Sequence, residues 1–174
     1  MPELDTMITG ESVEKACAQV GEYNDAMMMT EFDRFFKAQP AICDFVVELT
    51  NESSQQIQEI TLFLAYMIFK AVEAGQAADV DAVTPNAIEA AYHDSEMWID
   101  RVSQAQGMDV EAAVGSSLEQ DTEPFLLQYV ISELNESLEN GSELNDEEKG
   151  EVFFVLKTVI SSLSEPKRRI IEAH

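Results

Sequence analysis

The chain is poor in glycine, proline and basic residues, and each shortage narrows the classes of protein that it can encode. Seven glycines and five prolines in 174 residues are too few for the turn-rich pattern of an all-β fold. Ten Lys and Arg against 34 Asp and Glu leave a formal net charge of −24, and such a surface repels phosphate backbones and anionic membranes. Direct binding of nucleic acid is therefore not expected.

Long hydrophobic runs and paired cysteines are scarce as well. The most apolar run, residues 60–72, contains Lys70 and is shorter than the roughly 20 residues that a membrane helix needs. Cys17 and Cys43 lie far apart without a CxxC spacing, which is typical of buried thiols in a reducing compartment. The first residues lack the basic start and apolar run of a signal peptide. We therefore predict a cytoplasmic protein without a membrane partner.

What the chain does contain is helical periodicity. Apolar residues make up 45% of it and charged residues 25%, which are ordinary globular values, and apolar positions recur every three or four residues in most segments. The pattern predicts an all-α fold, a single-domain helical bundle of about six to seven helices that spans residues 1–174.

A weak internal repeat organises this bundle. Residues 40–48, followed by Asn51 and Glu52, return as residues 124–132, followed by Asn135 and Glu136, and each copy precedes a long apolar helix pattern. We interpret the bundle as built around two similar helical hairpins, residues 40–74 and 124–163, with residues 75–83 as the linker. The second helices of the two hairpins are expected to pack against each other.

Local signals predict where the helices begin and end. Ser12 and Ser53 are interpreted as N-caps, the latter in a capping box with Gln56. Pro166 is expected to end the last helix. The remaining predicted boundaries are a start at Asn24, proline starts at Pro40, Pro85 and Pro124, ends at Gly21, Gly75 and Gly141, and a short helix around residues 110–114.

No pattern for catalysis or cofactor binding stands out. Ferritin-like di-metal sites need Glu-x-x-His on two helices, whereas the order at His93 and Glu96 is reversed and occurs once. Residues 136–147 place Gly141 at the sixth position of a calcium loop, but Leu138 stands where an oxygen ligand is needed. The GxSxG, GxxxxGK[ST] and GxGxxG patterns are absent. We predict no catalytic residue, no metal and no cofactor.

The preferred interpretation is a non-enzymatic acidic protein that acts through protein–protein contacts, as an adaptor, inhibitor or chaperone-like protein with a basic partner. Residues 71–148 hold 19 Asp or Glu and a single base, Arg101, so they would attract such a partner over long range. The carboxylates predicted to form the interaction surface are Glu133, Glu136, Glu139, Glu143, Asp146 and Glu147. The predicted apolar contact residues are Met27, Met28 and Phe32, whose spacing also fits core packing.

Three alternatives stay open. One is a ligand-binding or enzymatic bundle with a pocket between the two hairpins, lined by Tyr66, Tyr129, Glu59 and Glu148. Another is a homodimer formed through the helix at residues 57–74, which is apolar enough to need cover on every side. The third assigns the acidity to solubility alone or to a halophilic origin.

Overall fold

The computed structural model describes residues 8–75, 80–104, 123–139 and 146–172, and these ranges form a bundle of seven α-helices. In chain order the helices are α1 Gly10–Gly21, α2 Asp25–Ala38, α3 Pro40–Leu49, α4 Gln55–Gly75, α5 Pro85–Gln104, α6 Pro124–Glu139 and α7 Asp146–Glu172. The predicted all-α bundle of six to seven helices is confirmed. The predicted short helix around residues 110–114, and Gly141, lie outside the described residues.

Most helices begin where local chemistry predicts. The side chain of Asn24 accepts the N–H three residues on at 2.8 Å and starts α2, and Thr84 does the same for α5 at 3.1 Å. Pro40, Pro85 and Pro124 each stand at the first residue of a helix, where the missing N–H has no intrahelical partner to lose.

Two predicted N-caps are wrong, because another hydroxyl nearby does the capping. Helix α1 starts before Ser12, whose N–H donates to Oγ1 of Thr9 at 3.2 Å. At α4, Oγ of Ser54 accepts from the N–H of Ile57 at 3.3 Å. The Ser53 hydroxyl instead donates to Glu151 at 2.7 Å, so it links the start of α4 to α7.

The predicted end at Pro166 is also wrong, since α7 continues through it to Glu172. A proline inside a helix removes one intrahelical hydrogen bond, and its ring crowds the carbonyl four residues earlier. Helix α7 therefore forms this turn without one of its hydrogen bonds.

The centre of the bundle is the pair α4 and α7, which pack against each other as predicted. Helix α4 is buried around most of its circumference, because α1, α2, α3 and α7 all contact it. Its fully enclosed side chains include Leu64, Tyr66, Ile68 and Phe69. The expectation that this helix needs neighbours on every side is met within the chain itself.

The remaining contacts repeat between the two halves. Helix α1 packs on α4 and reaches α6, just as α5 packs on α7 and reaches α3. The repeated unit is therefore a set of three helices, α1–α3–α4 and α5–α6–α7, which is larger than the predicted hairpin. Helix α2 stands apart from this scheme and lies against α3 and α4.

Candidate functional site

The outer face of α5 is a stripe of exposed acidic residues. Ile88, Ala91 and Ser95 face the core and are buried, so the helical period turns the opposite side of α5 outward. The exposed residues that we call the α5 acidic face are Glu89, His93, Asp94, Glu96, Met97 and Asp100. Four carboxylates thus share one face of a single helix.

These carboxylates are available for outside contacts. Within the described part of the chain, none of the four takes part in an ion pair. Met97, on the same face, is 52% exposed, so an apolar side chain stands among the charges. A surface that combines carboxylates with an exposed methionine offers both charge attraction and apolar burial to a partner.

The carboxylates predicted from the sequence are placed unevenly. Glu147 is exposed at the start of α7, whereas Glu133 on α6 is half-buried and its charge contributes to a raised pKa of the Cys17 thiol, after burial as the main cause. Glu143, and the side chains of Glu136, Glu139 and Asp146, lie outside the described residues. The helical period assigns Glu89, His93, Glu96 and Asp100 to the polar side of α5, but they were not among the predicted interaction residues.

The predicted apolar contact residues divide between surface and core. Met27 is 46% exposed, while Met28 and Phe32 are half-buried and pack against the hydrophobic core. The Phe32 ring lies 5.1 Å from that of Tyr66, centroid to centroid. Phe32 therefore serves to attach α2 to α4.

The residues proposed to line a pocket between the hairpins have separate partners. Tyr66 donates to Glu31 at 3.0 Å, and Glu59 accepts from Gln55 at 2.9 Å. Tyr129 hydrogen-bonds the thiol of Cys17, and Glu148 is half-buried on α7. Tyr66, Tyr129 and Glu59 therefore each contact a different residue.

A second polar site, between α2 and α4, was not predicted. Arg34 of α2 donates through both terminal nitrogens to the two carboxylate oxygens of Glu73 on α4, at 2.8 Å each. Its Nε also donates to Glu31 at 2.7 Å, and Lys70 Nζ donates to Glu31 at 2.8 Å. We call Glu31, Arg34, Lys70 and Glu73 the charge clamp. Planar two-bond pairing of this kind is among the stronger side-chain contacts.

The clamp alters the acidity of its members. Hydrogen bonds from Arg34, with further ones from Lys70 and Tyr66, outweigh burial and lower the pKa of Glu31 to about 2. Burial, and then the hydrogen bond to Glu31, raise the pKa of the Tyr66 hydroxyl well above its ordinary value. At neutral pH Glu31 is therefore ionised and Tyr66 is a neutral donor, which is the arrangement that keeps both bonds.

The clamp borders a shallow groove of about 440 Å³ between α1, α2 and α4. Lys15, Gln19 and Ala74 complete its lining. Three of the ten bases of the chain meet here, opposed by the two carboxylates of the clamp. Because Arg34 and Lys70 are bound to those carboxylates, the charged side chains in this groove mainly hold α2 against α4.

Part of the clamp had a signal in the sequence. Glu31 and Arg34, and likewise Lys70 and Glu73, are three residues apart and so lie on one face of their own helix. That spacing does not predict that these faces of α2 and α4 contact each other. The residues 84 positions after Glu31 and Arg34 are Gly115 and Leu118, so the second half of the sequence does not repeat this charge pattern.

Among the described residues, no group of three or more His, Cys, Asp or Glu is placed to hold a metal ion, and none of the described helices has the length and hydropathy to cross a membrane. Comparison with protein-family models, curated proteins and solved structures found no match to this chain.

Proposed function

We propose that this protein acts through contact with a basic protein partner, without a catalytic reaction of its own, and that the α5 acidic face carries this contact. The observation that supports the proposal most directly is the set of four exposed carboxylates around Met97, none of them in an ion pair within the described residues. A partner complementary to this face is a segment rich in Lys and Arg that also carries an apolar residue.

The carboxylates and Met97 contribute to this contact in different ways. The formal net charge of −24 accelerates the approach of a positive partner and disfavours negative ones. Exposed ion pairs by themselves contribute little affinity, so burial of Met97 supplies the short-range part of the contact. We therefore expect the affinity for a basic partner to fall as the salt concentration rises, but not to disappear.

The experiment uses a defined probe, a synthetic amphipathic peptide rich in Lys and Arg, titrated into the isotope-labelled protein at two ionic strengths. Amide shifts should concentrate on α5. A triple variant, Glu89→Gln, Glu96→Gln and Asp100→Asn, should bind about tenfold more weakly at low salt, because three exposed charges at roughly 0.5 kcal/mol each amount to that change.

The matched control removes the same amount of charge elsewhere. Glu11→Gln, Glu22→Gln and Glu48→Gln change three carboxylates that are exposed and scattered over other parts of the bundle. If this control weakens binding as much as the α5 variant does, the attraction is a general property of an acidic protein and the assignment to α5 is wrong. Binding that is insensitive to salt would contradict the role of the carboxylates altogether.

A further inference from the structure

Helix α2 is held to the bundle differently from its neighbours. Of its 14 residues only Phe35 is fully buried. Three of the six large apolar side chains exposed in the described part of the chain, Met27, Met29 and Phe36, belong to it. A helix with so few buried apolar contacts belongs to the less stable part of a structure.

The apolar attachment of α2 is mainly a small group of aromatic rings, to which half-buried Met28 and Ala38 add contacts with the core. Phe35 lies 5.3 Å from Phe69 and 5.9 Å from Tyr66 on α4, measured between ring centroids, and Phe32 lies 5.1 Å from Tyr66. Pairs at these distances are favourable, but only two residues of α2 supply them. Separation of α2 would uncover Tyr66 and Phe69.

The charge clamp supplies the polar attachment at the edge of these rings. Arg34 is the central group, since it binds Glu73 across the interface and Glu31 on its own helix. Its side chain is 40% exposed and that of Glu73 27%, so dissolved ions reach this pair and weaken the attraction. The pair of Lys70 and Glu31, with side chains 14% and 15% exposed, is screened less. The polar attachment is therefore sensitive to salt, whereas the burial of Phe35 is not.

The C-terminal end of α2 is anchored more firmly. Gln39, the next residue, is fully buried, and its side chain hydrogen-bonds the backbone of Asp81 and Val83 at 2.9 Å each. At the other end, residues 22–24 are an exposed or half-exposed turn. Any separation of α2 would accordingly pivot near Gln39.

We propose that α2 is a strap that opens as a unit while α4 and α7 stay folded, and that the charge clamp sets how often it opens. Opening breaks one aromatic group, the core contact of Met28 and one polar network, a smaller loss than unfolding the central pair α4 and α7. Each opening presents Tyr66 and Phe69 to the solvent, and higher salt makes openings more frequent.

The test is native-state hydrogen exchange, resolved by helix, on the full chain at about 50 mM and about 500 mM salt. Amides of α2 should exchange faster at the higher salt. Amides of α4 and α7 should slow or stay constant, because the same salt screens repulsion among the 34 acidic residues and so stabilises the fold. Opposite responses of two parts of one molecule cannot arise from global unfolding.

Arg34→Met keeps the apolar stem and removes the charge. In this variant α2 amides should exchange about tenfold faster at low salt, equivalent to roughly 1.4 kcal/mol. They should lose most of their acceleration by salt, since only the more buried pair of Lys70 and Glu31 then remains in the clamp. Lys37→Met is the matched control, because among the described residues Lys37 pairs with Asp33 of the same helix alone, in an exposed contact. It should change α2 exchange less than about twofold.

Glu73→Gln provides a second route, since it weakens the same contact from the α4 side and leaves Lys70 on Glu31. The wild-type salt comparison needs no variant at all. The proposal is overturned if α2 amides exchange at the rates of α4 and respond to salt with the same sign, or if the Lys37 and Arg34 variants behave alike.

Discussion

Gln39 and Val83 join two distant corners of the bundle: the side-chain oxygen of Gln39 accepts the backbone N–H of Val83 at 2.9 Å, 44 residues along the chain. The amide nitrogen of the same side chain donates to the carbonyl of Asp81, also at 2.9 Å. One buried glutamine therefore fixes the segment before α5 against the junction of α2 and α3.

We expect Gln39→Ala to lower the free energy of unfolding by about 1 to 3 kcal/mol, because it leaves a buried backbone N–H and a carbonyl without partners. Urea unfolding would measure the change. Gln128→Ala is the control, since Gln128 is exposed on α6, and it should stay within about 0.5 kcal/mol. Equal effects of the two variants would contradict the role given to Gln39.

Glu31 should contribute to stability in a pH-dependent way. Its pKa is about 2 in the folded state against an ordinary value of 4.5, so the folded state binds the proton less well than the unfolded state. The contribution is fully present above about pH 4.5 and is lost as the pH falls toward about 2.

The measurable consequence is the difference in unfolding free energy between wild type and Glu31→Gln. We expect about 1 to 2 kcal/mol near neutral pH, allowing for screening at a partly exposed site, and a value approaching zero near pH 2. The contributions of the other carboxylates to the pH dependence cancel in this difference. Asp33→Asn, in an exposed pair with Lys37, should give a small difference at every pH; a steep one there would undermine the interpretation.

Thr158 and Ser95 form a buried polar contact between α7 and α5, with the Oγ1 atom of Thr158 lying 2.9 Å from Oγ of Ser95. Thr158→Val should cost about 1 to 2 kcal/mol, since it leaves the Ser95 hydroxyl without this partner. The double variant with Ser95→Ala should cost less than the sum of the two single variants, by about 0.5 kcal/mol or more.

A buried threonine whose hydrogen bond stays within its own helix serves as the control for that cycle. Thr61 is fully buried and bonds the Ile57 carbonyl of its own helix at 2.6 Å. Thr61→Val should therefore show no coupling to Ser95→Ala. Strict additivity at Thr158 and Ser95 would mean that the contact across the helices contributes nothing.

Two glycines should respond to alanine in opposite ways. Gly150 lies inside α7, and no neighbouring atom comes within 4 Å of the position that an added Cβ would take, so Gly150→Ala should stabilise by about 0.5 to 1 kcal/mol through helix propensity. At Gly75 a Cβ would lie 2.8 Å from Cδ1 of buried Ile8 and 3.2 Å from Oγ of Ser12. Gly75→Ala should leave the stability unchanged or lower it. Thermal unfolding of both variants measures the two effects. Equal stabilisation would show that Ile8 and Ser12 move aside for the added Cβ at no cost.

Much of the fold was predictable because helix ends depend on nearby residues. Asn24, Pro40, Thr84 and Pro85 act within one helical turn, and their helices begin where they indicate. The errors at Ser12 and Ser53 have the same origin, since another hydroxyl within three residues could serve equally and only the packed chain selects one. Pro166 shows the limit of a local rule, because α7 continues past it.

The candidate sites were less predictable. The acidic excess was evident, but the predicted carboxylates on α6 and the following loop were chosen without knowing which faces of the helices are covered. On α5 the exposed side is defined by α3 and α7, which pack against the other side. Periodicity assigns Glu89, His93, Glu96 and Asp100 to the polar side of α5, but only the packing of α3 and α7 shows that this side stays exposed.

By itself the sequence determined the helices, their order and the excess of negative charge, because these follow from spacing, capping residues and composition. Only the tertiary structure decided which charges are paired. Arg34 meets Glu73, 39 residues away, since packing of α2 on α4 places the two side chains together, whereas Asp100 faces outward. Periodicity assigns a residue to a face of its helix, but contacts distant in sequence decide what that face meets.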